Sequence, residues 1–207
     1  MNHYFIGLML ASGANSESGI AILDRNNEII LLDKLFSMQD VQHFFENYHS
    51  LKNSQICISL PWDNSMLNGK WRVLSKQYQM VGTNDNFKNI DNWTQRFSNR
   101  GSDYFSSLIE KGANISRFEL YLTRQALGLG TCFKERSPAD CKALQSALKI
   151  KYGFTSLLSN MMPMALLEAL VGAVLAKKLN DEVEGKTDLK LLEKPLFEFN
   201  GLPVIRG

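Results

Sequence analysis

An apolar run lies near the start of the chain. Residues Tyr4–Ala11 (YFIGLMLA) carry no charge, and Gly7 is the one break in the run. Successive side chains of a strand point to opposite faces of a sheet, so a strand that is apolar at every position is covered on both faces. The pattern predicts that Tyr4–Ala11 forms the central strand of the fold.

Two further apolar runs follow closely. Gly19–Asp24 and Glu28–Lys34 are joined by a short turn that contains Asn26 and Asn27. Asparagine tolerates the positive φ that tight hairpin turns require. Together with the first strand, these runs predict a three-stranded antiparallel meander.

A helix and a fourth strand come next. Ser37 is a good N-cap residue, with Asp40 three positions later. Gln55–Leu60 (QICISL) has the composition of a strand, which Pro61 ends. A helix between two strands implies a crossover, so the fourth strand is expected to run parallel to a neighbour. Apolar residues fall at helical spacing after the cap: Val41, Phe44, Phe45, Tyr48 and Leu51.

The second half of the chain predicts one more strand and two long helices. Arg117–Leu122 (RFELYL) alternates in polarity, which indicates a fifth strand with Glu119 and Tyr121 on one face. Ser137 followed by Pro138 and an acid in the first turn predicts a helix that runs to about Tyr152.

The last long helix is predicted over Pro163–Leu179. A stripe of small residues along it would let the helix lie close to a sheet. Glu168 is the only charge before Lys177. An acid on such a helix is either buried, and then paired or metal-bound, or it faces solvent, and the sequence does not choose between the two. The small residues are Ala165, Ala169, Gly172, Ala173 and Ala176.

Residues 64–100 form the least regular part of the chain. Six basic residues stand against two acidic ones, with five aromatic residues interleaved. Cations combined with aromatic platforms suit single-stranded nucleic acid, whereas amphipathic helices with aromatic cores give the same pattern more often. The candidate nucleic-acid-binding residues are Lys70, Trp71, Arg72, Lys76, Arg96 and Arg100.

Composition predicts one ordinary globular domain over residues 1–207, with an insertion at about 64–115. The 207 residues are 44% apolar and 21% charged, and the net charge of +2 favours no particular partner. The three scattered cysteines fit reduced thiols, and the early apolar run lacks the preceding basic residues of a secretion signal. We therefore expect a cytoplasmic protein without a membrane span.

The order of these elements resembles that of ribonuclease H (RNase H): three antiparallel strands, a helix, a parallel strand, then helix, strand and terminal helices. The chain further resembles the domain of unknown function 429 family of predicted RNase H-fold nucleases. That family has I-G-x-D-x-A in its first strand, I-D-x-P at the fourth, E-x-Y-P later and D-A-x-D-A in a late helix. The matching stretches here are Ile6–Ala11, Ile58–Pro61, Glu119–Leu122 and Ala165–Ala169. The resemblance implies an α/β fold with a five-stranded mixed sheet and helices on both faces.

The departures from the family pattern concern its acids. Met9, Ser59 and Ala165 stand where the family has carboxylates, and only Glu119 and Glu168 match acidic positions. In the RNase H fold the first and fourth strands are neighbours, so the resemblance places Met9 beside Ser59. A two-metal centre needs several carboxylates, because Mg²⁺ is hard and prefers oxygen ligands. A thioether is a soft ligand and a hydroxyl is a weak one.

Three functions are compatible with these residues. The first is a degenerate RNase H-like domain without nuclease activity and without a cofactor, which binds nucleic acid or a protein partner. The second is a divergent nuclease that uses Mg²⁺ or Mn²⁺ held by Asp63, Glu119 and Glu168. The third is a nucleotide- or sugar-phosphate-binding protein on a related actin-like or kinase-like fold, which would hold a phosphate in the turn Ser12–Gly19, although such residues are ordinary in loops. The sequence favours the first.

Overall fold

The computed structural model of the protein describes residues 4–10, 17–59, 108–118, 120–186, 197–199 and 202–205. Asp63, Glu119 and the six candidate nucleic-acid-binding residues lie outside these ranges. So does most of the Ser/Gly-rich turn, since residues 11–16 are not among those described.

The described strands form one mixed sheet. They are β1 (Tyr4–Met9), β2 (Ser18–Leu23), β3 (Ile29–Leu35), β4 (Ser54–Ser59), β5 (Asn114–Phe118), β6 (Phe197–Phe199) and β7 (Leu202–Ile205). Their order across the sheet is β3-β2-β1-β4-β5-β7-β6. The first three strands are antiparallel, whereas β4 runs parallel to β1 and β5 parallel to β4. The predicted five-stranded mixed sheet is confirmed, and the chain ending adds a hairpin to its β5 edge.

The strand β1 lies at the centre of these five strands, as its apolar run predicts. It pairs with β2 on one side and with β4 on the other, and its residues from Phe5 to Met9 are buried. The described strand ends at Met9, two residues before the predicted end.

The capping residues in the sequence predict where the longer helices begin. The described helices are α1 (Met38–Asn47), α2 (Leu120–Ala126), α3 (Pro138–Tyr152) and α4 (Met164–Val183). Before α1, the Ser37 hydroxyl accepts from the Asp40 N–H and the Asp40 carboxylate accepts from the Ser37 N–H, so both halves of a capping box are present. At the start of α3 the Ser137 hydroxyl accepts from the Asp140 N–H, and Gly153 ends the helix with a φ of 72°. Within the described ranges, no helix combines the length and the apolar character needed to cross a bilayer.

The predicted fifth strand over Arg117–Leu122 is wrong in its position. The strand β5 begins earlier, at Asn114, and ends at Phe118, while α2 already begins at Leu120. Tyr121 therefore stands on a helix and not on a strand face. The buried residues Leu120, Thr123, Arg124 and Leu127 recur with the 3.6-residue period of a helix. The alternation in RFELYL is too short to separate that period from the two-residue period of a strand.

Helices cover both faces of the sheet. On one face α4 lies over Phe5, Met9 and Cys57, with α2 and α3 packed around it. On the opposite face Val41 and Phe45 of α1 join a cluster of strand residues of the other parity. These strand residues are Ile6, Leu8, Leu10, Ile20, Ile22, Ile56, Ile58 and Ile115.

Candidate functional site at the carboxyl ends of the central strands

The parallel strands β1 and β4 end side by side. Leu8 is in register with Ile58, so the next residues, Met9 and Ser59, are neighbours at the carboxyl ends of the two strands. The Ser59 Oγ donates a hydrogen bond to the Met9 Sδ at 2.7 Å. The exposed fractions are 2% for Met9 and 1% for Ser59. The expected proximity of the two positions is confirmed, and the contact is a buried one between a hydroxyl and a thioether.

This pair does not fit a two-metal centre. Two Mg²⁺ ions need hard oxygen ligands with negative charge, and the Met9 sulfur is neutral and soft. The Ser59 hydroxyl is neutral and already directed at that sulfur. Over the part of the chain that the structure describes, no three His, Cys, Asp or Glu side chains come close enough to form a metal-ligand group.

The backbone of Ala165 lies directly against the sheet. Ala165 is buried at the start of α4, against β2. A Cβ atom placed on Gly19 would lie 2.0 Å from the Ala165 carbonyl oxygen, so the helix and strand backbones touch here. The third departure from the family pattern therefore coincides with a close helix–sheet contact.

Glu168 is buried and paired with an arginine. Its side chain on α4 has an exposed fraction of 0%, which makes the solvent-facing interpretation wrong. Arg136 Nε donates to Glu168 Oε1 at 3.0 Å, and Arg136 Nη2 donates to Oε2 at 2.5 Å. This is the two-pronged geometry of a strong arginine–carboxylate pair. Burial by itself would lower the pKa of Arg136, but the charge and hydrogen bonds of Glu168 outweigh burial and raise it above the usual value.

The turn before α3 brings Arg136 to this position. Arg136 has a φ of 59°, in the left-handed region that non-glycine residues seldom adopt. Its backbone N–H donates to Asp140 Oδ2 at 2.9 Å, which holds the turn in that conformation. The left-handed backbone costs roughly 1 kcal/mol, so these contacts must offset it.

Asp140 is the second buried acid of the site. Its carboxylate accepts two hydrogen bonds from Arg124 of α2, at 3.1 and 2.5 Å, and a third from the Thr131 hydroxyl at 2.5 Å. Burial acts to raise the pKa of Asp140, but the bonds from Arg124, Thr131 and the Arg136 backbone prevail and lower it. The sequence identified Asp140 only as an acid in the first turn of a helix. It is also the centre of a network that joins α2, the following turn and α3.

Tyr121 lies beside both ion pairs. Its ring centre is 5.8 Å from the Arg124 Cζ, within the range of a cation–π contact. Burial raises the pKa of the Tyr121 phenol, and the negative charges of Glu168 and Glu135 raise it further. The phenol is therefore protonated at neutral pH.

Sequence reasoning found the acids of this site and missed its cations. Arg124 and Arg136 stand 16 and 32 residues from their partners in the chain, too far for a local pattern to couple them. One signal was available for Arg124, since it shares the buried face of α2 with Leu120, Thr123 and Leu127. The prediction of a strand over Arg117–Leu122 left this helical period unrecognised.

Comparisons with protein-family models, with curated proteins and with solved structures found no match to this chain.

Proposed function

We propose that this chain is a divergent RNase H-like domain of the domain of unknown function 429 family, that it lacks a two-metal nuclease centre, and that it acts as a binding module for nucleic acid or a protein partner. The observation that carries the proposal is the buried contact between Ser59 Oγ and Met9 Sδ. It lies where the family resemblance places the two carboxylates that bridge catalytic metals. A hydroxyl and a thioether in buried contact supply neither charge nor hard ligands.

The strand order supports the choice of scaffold. Three antiparallel strands, a crossover helix and two parallel strands, in the order β3-β2-β1-β4-β5, are what the RNase H resemblance implies. A long late helix, α4, lies against the central strand and carries Glu168 at the position of the family's last acid.

The divergent-nuclease alternative would use Asp63, Glu119 and Glu168 as metal ligands. Both oxygens of Glu168 accept hydrogen bonds from Arg136, so a metal would compete with that arginine and be repelled by its charge. Asp63 and Glu119 lie outside the described residues. The contacts of Glu168 therefore favour the domain without nuclease activity.

The composition of residues 64–100 favours single-stranded nucleic acid over a protein as the partner. Six cations and five aromatic side chains provide phosphate contacts and stacking platforms. This part of the proposal rests on composition alone.

A cleavage assay tests the loss of nuclease activity. Purified protein is incubated with single- and double-stranded DNA and RNA in Mg²⁺ and, separately, in Mn²⁺. We expect the substrates to remain intact. Cleavage that the substitution Glu119→Gln abolishes would refute the proposal and restore the metal-nuclease alternative.

Fluorescence anisotropy with a labelled single-stranded oligonucleotide tests the binding role. The double substitution Lys70→Ala/Arg72→Ala is expected to weaken binding about tenfold and to reduce the salt dependence of the affinity, because it removes two phosphate contacts. The matched control is Lys111→Ala/Lys142→Ala, which removes two exposed cations elsewhere and should leave binding unchanged. A wild-type protein that binds neither RNA nor DNA would exclude nucleic acid and leave a protein partner.

A further inference from the structure

We infer that Arg136 is a built-in counter-cation for Glu168, and that it takes the place that a divalent metal would occupy beside the family's late-helix acid. The inference rests on the proposed function, because it equates Glu168 with that acid. A carboxylate with no exposed surface must be neutralised or paired with a cation, since leaving it as an isolated charge away from water is very costly. Arg136 supplies the positive charge, and two hydrogen bonds to the two carboxylate oxygens.

Arg136 also separates Glu168 from solvent. Its side chain is 30% exposed, while the Glu168 side chain is 0% exposed. Arg136 is therefore the more exposed partner of the pair, and a metal ion at Glu168 would lie next to its positive charge. The ion would compete with two hydrogen bonds, one at each carboxylate oxygen.

The surroundings fix Arg136 and balance its charge. Its backbone N–H donates to Asp140, which in turn is paired with Arg124. The network thus joins two arginines to two acids and has no net charge of its own. A divalent ion bound there would add two positive charges to a neutral cluster, which disfavours binding in a buried site.

The charges around this pair act on two other groups, and the described residues form no group of three His, Cys, Asp or Glu side chains that could hold a metal here. Tyr121 of α2 and Cys141 of α3 both feel the charge of Glu168, and Glu135 acts on Tyr121 from the turn before α3. The Cys141 thiol donates to the Met162 carbonyl oxygen and is therefore engaged within the fold. Arg136 is thus the cation that the described residues direct at Glu168.

The ion pair consequently has a structural role. It joins the turn before α3 to the second turn of α4, across 32 positions of the chain. We therefore expect the domain to reach its full stability without divalent ions, and the stability to depend on Arg136.

Thermal unfolding of four proteins tests the inference: wild type, Arg136→Ala, Glu168→Gln and the double variant. Arg136→Ala leaves Glu168 buried without its cation, and we expect its Tm to fall by about 10 °C. Adding Glu168→Gln removes the unpaired buried charge and should recover about half of the loss in Tm. The matched control is Arg25→Ala, which breaks the partly exposed pair with Glu184 at 3.8 Å and should lower Tm by no more than about 2 °C.

Where Arg136→Ala does not fold, the double variant decides. A folded double variant supports the inference, because it shows that the stranded Glu168 charge is what prevents folding. If Glu168→Gln folds while both proteins with Arg136→Ala fail, Arg136 acts through something other than Glu168 and the inference is overturned. An Arg136→Ala protein as stable as the wild type overturns it as well.

Mn²⁺ alone provides the second readout. The Tm of the wild type is expected to stay unchanged as Mn²⁺ is added. A rise in Tm that Glu168→Gln abolishes would assign Glu168 as a metal ligand and overturn the inference. Failure of the proposed function looks different, because it appears as nucleic-acid cleavage, which can occur at ligands elsewhere while the Arg136 pair remains intact.

Discussion

The two faces of the sheet are covered by helices in different ways. On one face α4 meets β1 with backbone against backbone: a Cβ atom on Gly7 would lie 1.8 Å from the Ala169 carbonyl oxygen and 2.3 Å from the Ala173 nitrogen. On the other face α1 packs through the side chains of Val41 and Phe45. A side-chain interface can adjust its rotamers, whereas a backbone interface has no atoms that can move aside cheaply.

The α4 face also holds buried polar contacts. The α4 face holds the Met9–Ser59 contact and the layer that contains the Arg136–Glu168 and Arg124–Asp140 pairs. The hydrophobic cluster on the α1 face consists of aliphatic and aromatic residues, and the buried Arg117 of β5 has the same strand parity as Ile115 of that cluster. We therefore expect substitutions on the α4 face to have the largest effects on stability. Substitutions at the carboxyl ends of the central strands are those that would alter any chemistry.

The largest effect is expected for Gly7→Ala. Its methyl group would collide with the α4 backbone at 1.8 Å, so the helix would have to move away from the sheet. We expect a loss of at least about 4 kcal/mol in the free energy of unfolding, or failure to fold, measured by urea denaturation.

Gly153→Ala is the matched control for that substitution. Gly153 has a positive φ of 72°, but a Cβ atom there would meet nothing within 4 Å. The expected cost is about 1 kcal/mol, from backbone strain alone. Equal costs for the two substitutions would contradict the backbone contact between α4 and β1.

Met9→Asp tests whether the carboxyl end of β1 is dry. A carboxylate placed beside Ser59 with 2% exposure would lose its hydration, and we expect it to cost about 3–4 kcal/mol in urea unfolding. Met9→Leu keeps the site apolar and should cost less than about 1.5 kcal/mol. An aspartate variant as stable as the wild type would indicate a wet cleft and would weaken the proposed function.

Asp140→Asn tests the charged layer around α3. The pKa of Asp140 is lowered in the folded protein, so its carboxylate contributes stability above its unfolded pKa, and that contribution is lost as pH falls through the folded pKa. We expect the variant to be roughly 2–3 kcal/mol less stable at pH 7. The difference from wild type should shrink below about pH 4, where the wild type loses its advantage.

Denaturation curves measured across that pH range check this prediction. Asp33→Asn, on the exposed part of β3, controls for the loss of one carboxylate. A difference between Asp140→Asn and wild type that stays constant with pH would mean that the Asp140 charge does not stabilise the fold.

The smallest effect is expected on the α1 face. Asp40→Ala removes the carboxylate that accepts from the N–H groups of Phe36 and Ser37, and it should cost about 1 kcal/mol in unfolding free energy. Glu46→Ala removes an acid from the last turn of the same helix, where a negative charge is unfavourable, and should be neutral or slightly stabilising. Similar losses for both would indicate that overall charge, and not the cap, is responsible.

Local sequence signals determined much of the architecture. The capping residues Ser37 and Ser137 and the terminating Gly153 set helix ends, because each acts on backbone groups within four positions of itself. The unbroken apolar run of β1 located the centre of the sheet for a similarly direct reason, since burial on both faces leaves no room for polar positions. RFELYL failed because six residues do not distinguish a strand from one turn and a half of helix.

The tertiary structure alone decided what Gly7 and Glu168 do. Gly7 read as a break in a strand, and it is in fact the point where α4 touches the sheet backbone. Glu168 read equally as a solvent-facing acid or as a buried one, and it is buried because Arg136, 32 residues earlier, supplies its counter-charge. Contacts of this kind join residues that no periodic pattern relates, so they are determined only when the helices are packed on the sheet.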